Sequence, residues 1–290
     1  MKLEQPTRLS VADTARLALV VVPVGGLCLA ALADSLPTIA ALREVVDLPG
    51  FWESYTFTVV VAVAATGVAA GGAAAAGFVI ARRPRPPRRS VLGLLHYNIG
   101  MPHLVWAVAL STLLAPSGWV ARFCATIGVI DRPDQFPILV NDVYGIGIVS
   151  HLVTKELPFV LLATLPLIGE RLRSELAQTA TLGAPPRSQF RHVYLPRIAP
   201  ALVPATVVVF AFAVGGYEPG AVLGVQRPRT LPVVAVDWFR DSTLARRDHA
   251  FAVTAILMAT TVVVGATFAL AARHAWWPPT RRRRSAGATE

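Results

Sequence analysis

Lysine and cysteine are scarce in this chain of 290 residues. Lys2 and Lys155 are the only lysines. Neither follows the glycines of a Gly-x-x-x-x-Gly-Lys-Ser/Thr loop, so the chain is not expected to bind ATP in the usual way. Cys28 and Cys124, the only cysteines, provide no disulfide framework and no metal-ligand spacing. There is no His-Glu-x-x-His helix and no Gly-x-Ser-x-Gly elbow. We therefore expect no catalytic residues and no cofactor in this chain.

Charge is sparse too, and apolar residues dominate. Only 15% of the residues are charged, 54% are hydrophobic, and the mean hydropathy is +0.56. This balance lies outside that of soluble globular domains. The net charge of +10 does not indicate a nucleic-acid partner, because the basic residues fall in short stretches between apolar runs. The composition predicts an all-α integral membrane protein.

Six apolar stretches are long enough to span a bilayer, which takes about 20 residues. They cover residues 14–33, 56–80, 91–115, 143–168, 201–223 and 250–272. The first has charged flanks and ends in Ala-Leu-Ala, so it can also be interpreted as a cleavable signal peptide. Because five further spans follow, an uncleaved first helix is the preferred interpretation.

Arginine is concentrated in alternate connections, which the positive-inside rule places in the cytoplasm. These arginines are Arg82, Arg83, Arg85, Arg88 and Arg89 after the second span, Arg171, Arg173, Arg187, Arg191 and Arg197 after the fourth, and Arg273 and Arg281 to Arg284 after the sixth. The connection after the fifth span is also rich in arginine and runs against this orientation. The prediction is a cytoplasmic tail at 1–13, a membrane domain at 14–272 with a cytoplasmic connection at 169–200, and a basic cytoplasmic tail at 273–290.

The cytoplasmic connection after the fourth span is unusually organised. A helix over 170–182 is expected to end at Gly183, because glycine adopts the left-handed conformation at little cost. Pro185 and Pro186 can then start a second short helix, which should reach about Tyr194 and stop at Pro196. Its apolar side carries Phe190, Val193 and Tyr194, and Arg187 and Arg191 lie on another side. So short a helix must dock against something to be stable, although an interfacial turn with snorkelling arginines is an equal alternative on this pattern alone.

The spacing of Gly183, Val193, Leu195 and Pro196 resembles the later part of the EAA loop of bacterial ABC-importer permeases of the type I fold. The resemblance implies a coupling helix that docks in an ATPase subunit, formed by Gly183, Arg187, Phe190, Arg191, Val193, Tyr194, Leu195 and Pro196. It also implies partners: two ATPase subunits that bind ATP and Mg, a second permease subunit, and an extracytoplasmic solute-binding protein. One departure is that residues 177–179 read Ala-Gln-Thr, and the nearest acid, Glu175, lies two positions too early.

Two further stretches point to a branch of that family. KELPFVLL at 155–162 and YEPGAVLGVQRPRTLPVVA at 217–235 look like segments of permeases for polyamines, ferric iron and thiamine. A small polar or charged solute such as a polyamine is therefore the first expectation, with a sugar, a metal, thiamine or an anion as alternatives.

Ionisable residues inside the spans are candidates for a solute path or gate. His151, Lys155 and Glu156 lie in the fourth span, where such residues are costly and usually face a bundle interior or a water-filled path. Tyr217 and Glu218 lie near the outer end of the fifth span, where neighbouring glycines and prolines loosen the helix. The alternatives are a structural ion pair in the fourth span and a solvated helix end in the fifth.

Two other functions remain open from the sequence alone. An ion-coupled secondary transporter would use the fourth-span residues as a relay, although no internal repeat supports it. A membrane enzyme would need a catalytic pair that the sequence does not show. A metal site at His96, Asn98 and His103 is weakly indicated, because Pro102 lies between the two histidines.

Overall fold

The structure is a computed structural model that describes residues 36–83 and 87–276, with side chains omitted for Leu244 and residues 273–276. The expected first span at 14–33 and most of both expected tails lie outside the described residues. The helices are α1 Ile39–Asp47, α2 Phe51–Ala81, α3 Arg89–Gly100, α4 His103–Leu114, α5 Trp119–Thr126, α6 Ile146–Thr164, α7 Glu170–Thr181, α8 Pro186–Gln189, α9 Leu195–Gly215, α10 Tyr217–Leu223, α11 Leu231–Phe239 and α12 Leu244–Trp276.

Five helical segments of the described chain are long and apolar enough to cross a membrane. They are Phe51–Ala81, His103–Thr126, Ile146–Leu167, Pro186–Gly215 and Ala245–Ala272. The helices expected at 56–80, 143–168 and 250–272 are thus confirmed. Within the described ranges, the only bridge between extended residues is the parallel one between Asp142 and Gly224.

The third expected span, 91–115, is not one continuous helix. It breaks between α3 and α4 at Met101, which is extended (φ −75°, ψ 130°). Pro102 causes the break, because it lacks an N–H and its ring excludes the helical conformation from the residue before it. The span expected at 91–115 is therefore displaced, and the long apolar helix of this region is His103–Thr126.

The fifth expected span, 201–223, is also divided and begins earlier. α9 ends at Gly215, Gly216 is extended (φ −67°, ψ 115°), and α10 follows as a separate short helix. On the other side, helical structure runs without a stop from Pro186 to Gly215. The prediction that Pro196 ends a short helix is therefore wrong.

A π-helical turn at Phe190–Tyr194 explains how the helix passes Pro196. In this turn the Leu195 N–H donates to the Phe190 carbonyl, five residues back. The wider turn tolerates a residue that has no N–H and whose ring would crowd the carbonyl four positions earlier. The connection after the fourth expected span and α9 are consequently continuous.

Small residues let α2 pack closely along α6 and α9. Ala62, Ala65, Ala69 and Ala73 are almost fully buried. A Cβ built on Gly72 would lie 2.8 Å from Leu157 Cδ1 of α6. Such close approach is typical of helix contacts in membranes, where dispersion and interhelical hydrogen bonds replace the hydrophobic effect. α2 therefore forms the centre of the described bundle.

Candidate functional site

A polar cleft lies beside the midpoint of α6. Its volume is about 170 Å³, and it is lined by Ile99, His103, Lys155, Glu156, Phe159, Val208 and Phe212. The cleft opens on the surface of the bundle, since Ile99 is 42% exposed and the His103 side chain 27%. It therefore joins the break between α3 and α4 to the ionisable residues of α6.

Lys155 fills the break in the third span. Its Nζ donates to the carbonyl oxygens of Asn98 (2.5 Å) and Met101 (2.7 Å), and the residue is only 3% exposed. The last carbonyls of a helix have no partners within the helix, and the negative end of the helix dipole favours a cation there. The ammonium group thus caps the carboxyl end of α3 and binds it to the middle of α6.

Two histidines and a glutamate meet beside this cap. His103 Nδ1 lies 3.4 Å from His151 Nε2, and His103 Nε2 lies 3.8 Å from a carboxylate oxygen of Glu156. Phe212 of α9 covers the His103 ring, with 4.4 Å between ring centroids. His151 is fully buried, and its Nδ1 has no hydrogen-bond partner. Of the expected path residues, Lys155 and Glu156 line the cleft, and His151 lies behind them against His103.

The sequence suggests His103 only as one ligand of a metal site with His96 and Asn98. In the structure His103 is instead central to this cluster. His96, its expected partner, points away, with Nδ1 2.7 Å from the Leu92 carbonyl oxygen. In the described part of the chain, no group of three His, Cys, Asp or Glu side chains is arranged to hold a metal ion. The signal that sequence reasoning missed is Pro102, which places His103 at the start of a new helix.

Tyr217 and Glu218 do not join the cleft lining. They begin α10, a short helix that packs on α4 and α6, and both are half-buried. Tyr217 lines a separate, mostly apolar cleft of about 420 Å³ between α9, α11 and α12. Glu218, by contrast, lies within electrostatic reach of His103, so only Tyr217 is directed away from the cluster on α6.

Asp142 is a buried acid that sequence reasoning missed. Its carboxylate accepts hydrogen bonds from the backbone N–H groups of Tyr144 (3.0 Å), Ile146 (2.8 Å) and Gly147 (3.1 Å), and the residue is 5% exposed. It satisfies the free amides at the start of α6, as a side-chain cap does. The sequence signal is an acid a few residues before an apolar run.

The turn at Gly183 has the geometry expected from the sequence. Gly183 has φ +80°, its N–H donates to Ala180, and the Ala184 N–H donates to Thr179. This is the Schellman pattern, in which two hydrogen bonds satisfy the last carbonyls of a helix. α7 ends here as predicted, one residue earlier than the expected 182.

Glu175 links the two sides of this turn despite its displaced position. The Arg197 guanidinium donates to both carboxylate oxygens, with Nε 3.0 Å from Oε2, and Arg171 Nε lies 3.3 Å from Oε1. Arg173 donates to the Arg83 carbonyl at 2.6 Å, which ties α7 to the end of α2. The connection is thus held to the bundle on two sides.

Tyr194 does not face outward, and the expectation that it is offered to an ATPase is wrong. It is fully buried against Phe78 of α2, with 5.3 Å between ring centroids, and Phe190 packs on the same ring at 5.2 Å. Phe190 and Val193 are half-buried, whereas Arg187 and Arg191 are exposed. The helix turns its aromatic side inward because α2 offers an apolar surface there.

Leu182 is the apolar side chain that the turn does expose. It is 84% exposed and directly precedes Gly183. An exposed leucine at the tip of a well-ordered turn, beside exposed arginines, is suited to contact another protein. Nothing in the periodicity of the sequence distinguishes it from the other apolar residues of the stretch.

Comparison with known proteins identifies relatives among transport proteins. Residues 49–275 match the family described as binding-protein-dependent transport system inner membrane component. A probable sulfate transport system permease protein of Marchantia polymorpha is 24% identical over 193 residues, covering 66% of this chain and 63% of that protein. The sulfate transport system permease protein CysT of Salmonella typhimurium is 27% identical over 181 residues, covering 62% of this chain and 61% of that protein. The chain thus spans somewhat less than two thirds of these relatives.

A solved structure shares the fold. It is that of a bacterial ABC transporter involved in the import of the acidic polysaccharide alginate, with a TM-score of 0.64 and 17% identity over 90% of this chain and 92% of that chain. These relatives give no support to the polyamine, ferric iron and thiamine branch expected from 155–162 and 217–235. The match over residues 49–275, well over half of the chain, shows that the chain belongs to the family of binding-protein-dependent transport system inner membrane components.

Proposed function

We propose that this chain is a permease subunit of an ATP-driven importer for a small inorganic oxyanion such as sulfate. The observation that carries the proposal is the Gly183 turn, which presents Leu182 and two arginines while its other side is held against α2. A protein that binds this turn can therefore move the membrane helices to which the turn is attached. The resemblance of the Gly183-to-Pro196 spacing to the EAA loop makes that protein an ATPase subunit.

The assembly follows from this role. Two ATPase subunits would bind ATP and Mg, a second permease subunit would complete the solute path, and a solute-binding protein would deliver the solute from outside. From the arginine-rich connections we expect the turn and both termini to lie in the cytoplasm of a bacterial cell, whose inner membrane the chain would span several times. The catalytic work lies in the partner chains.

The cleft between α3, α4, α6 and α9 is the candidate solute contact. A polar cleft that opens on the side of the bundle cannot face lipid without cost, so it should face water or another subunit. Its lining contains one ammonium group, which donates to two backbone carbonyls, and one carboxylate, so it carries no excess of negative charge that would favour a polycation. The relatives named for sulfate favour an anion. A polyamine is therefore not retained as the expected solute.

Sulfate uptake by the reconstituted complex tests this function. The chain is purified with its ATPase and binding protein and placed in liposomes that enclose ATP, and labelled sulfate and labelled spermidine are compared. We expect accumulation of sulfate, dependent on ATP and unchanged when ion gradients are dissipated. Uptake that collapses with the ion gradient would indicate a secondary transporter instead, and uptake of spermidine alone would reject the oxyanion.

Leu182→Asp is expected to weaken ATPase binding by about tenfold or more, since burying an unpaired carboxylate in an apolar contact costs more than the about 1.4 kcal/mol that a tenfold change requires. The measurement is the amount of ATPase that copurifies with the chain under mild extraction. Val129→Asp is the matched control, because Val129 is 66% exposed and lies in the connection before α6, remote from the turn. If equal amounts of ATPase copurify with the two variants, Leu182 is not part of the docking surface.

A further inference from the structure

The cytoplasmic turn and the polar cleft are joined by one helix. Tyr194, in the π-helical turn, contacts α2 at Gly77 and Phe78, and α2 contacts Leu157 of α6 at Gly72. Leu157 is next in sequence to Glu156, which lines the cleft. Gly72 and Gly77 are separated by little more than one turn of α2, so movement of one contact relative to the other is small unless the helix bends.

The contact between Tyr194 and Gly77 is a close fit. A Cβ built on Gly77 would lie 2.2 Å from the Tyr194 hydroxyl oxygen but 3.5 Å from Cζ of the same ring. The first distance is impossible for real atoms and the second is an ordinary contact. A side chain at residue 77 therefore conflicts with the hydroxyl oxygen, which is fixed in the plane of the ring, and the ring could keep its place only if the hydroxyl were absent.

The hydroxyl group of Tyr194 makes no hydrogen bond here. It is fully buried, and its oxygen has no partner. A buried hydroxyl without a partner disfavours the folded state, and phenylalanine would avoid that cost. What the hydroxyl contributes in this conformation is its volume, which fills the space above Gly77.

We propose that Tyr194 is the positioning residue that transmits movement of the Gly183 turn to α2, through the contact of its hydroxyl with Gly77. The inference rests on the proposed function, because it assumes that an ATPase moves this turn. The π-helical turn serves the same end, since it directs both Phe190 and Tyr194 toward Phe78 while the chain continues into α9. α2 then carries the movement to α6 and the cleft.

The test is an exchange of volume between the two positions, measured in the full complex with its ATPase. Gly77→Ala adds a methyl group that conflicts with the hydroxyl, and Tyr194→Phe removes the hydroxyl. The double variant places the methyl group where the hydroxyl was. Gly71→Ala is the matched control on the same helix, because Gly71 is exposed and has no atom within 4 Å of the added Cβ.

The first readout does not depend on the solute. In a background of Cys28→Ser and Cys124→Ser, Ile99→Cys introduces a single thiol at the cleft, and its rate of labelling is measured with and without ATP. We expect ATP to change the rate in the otherwise unaltered complex and in Gly71→Ala. Gly77→Ala should reduce that change on the order of tenfold, a size typical of coupling through packed side chains. The double variant should recover to within about twofold of the unaltered complex.

The second readout is sulfate taken up per ATP hydrolysed, which should follow the same order among the variants. A Gly77→Ala complex that keeps the full ATP response, or a double variant no better than Gly77→Ala, would overturn the inference. If Gly77→Ala does not assemble, Phe78→Leu, which removes the aromatic contact without adding atoms, must reduce the response. An ATP response without sulfate uptake in the unaltered complex would reject the proposed solute and leave the transmission contact standing.

Discussion

Lys155→Met is expected to destabilise the protein and to abolish most of its transport. Methionine keeps the unbranched apolar stem of lysine but lacks the terminal ammonium group and cannot donate a hydrogen bond. The Met101 carbonyl would then lose its partner, and the Asn98 carbonyl would keep only the backbone N–H of Met101 at 3.3 Å. A hydrogen bond to a charged group contributes about 1.5–3 kcal/mol, so the loss of both should cost about 3–6 kcal/mol. The break between α3 and α4 would no longer be bound to α6.

The measurement is thermal unfolding of the purified protein together with sulfate uptake in liposomes. We expect the midpoint of unfolding to fall by about 4 °C or more. Uptake should fall about tenfold or more, within the range of coupling energies between sites. A variant with the stability of the original protein would show that the carbonyls do not depend on Lys155.

Glu156→Gln distinguishes the stabilising role of the Lys155 cap from the role of the cleft in solute transport. Glu156 lines the same cleft, but its described polar contact is the 3.8 Å approach to His103. Glutamine has nearly the same shape, so stability should change by less than about 1 kcal/mol. Uptake should nevertheless fall, because the amide no longer offers His103 a negatively charged partner at the cleft. If both variants lose uptake but only Lys155→Met loses stability, the cap stabilises the fold and the cleft serves transport.

Hydropathy predicted three of the five long apolar helices in the described part of the chain, but not the breaks that displace the other two. Averaging over about 20 residues conceals a single residue such as Pro102 inside an apolar run. The partners of Lys155 are backbone carbonyls more than 50 positions earlier, at Asn98 and Met101. No side-chain pattern encodes such a contact, so the sequence predicted that Lys155 matters but not what it binds.

The Gly183 turn likewise has features that depend on neighbouring residues and features that depend on packing against distant ones. Gly183 could be predicted because the left-handed end of a helix depends on one residue type and its nearest neighbours. The sequence also predicted correctly that Tyr194 lies on the apolar side of its helix. It could not say whether that side contacts α2 or a partner chain. The passage of the helix through Pro196 depends on a π-helical turn, which has no reliable sequence signature.

Asp142→Ala is expected to have a comparable effect at the other end of α6. It removes the carboxylate that accepts three backbone hydrogen bonds from Tyr144, Ile146 and Gly147. These amides belong to the turn before α6 and to the first turn of that helix, where no carbonyl of the helix can replace the lost acceptor. Hydrogen bonds to charged groups and helix caps contribute about 1–3 kcal/mol, so the loss should be about 2–5 kcal/mol.

The effect should also reach the neighbouring short helix. Asn141 donates to the Leu223 carbonyl at 2.9 Å, and Asp142 pairs with Gly224, which together attach this turn to the end of α10. α10 carries Glu218 and packs on α4, the helix that begins with His103. Loosening Asp142 should therefore lower uptake as well as stability.

Hydrogen exchange at the start of α6, together with thermal unfolding, is the measurement for Asp142. Asp142→Asn keeps one acceptor oxygen and should be intermediate, whereas Asp142→Ala should lose protection at Ile146 and Gly147. Asp134→Ala is the matched control, because Asp134 is an exposed acid of the same connection whose ion pair with Arg132 should contribute less than about 1 kcal/mol. Unchanged protection in Asp142→Ala would mean that the turn at residues 141–145 is held by the bundle itself, and α10 would then keep its place without the carboxylate.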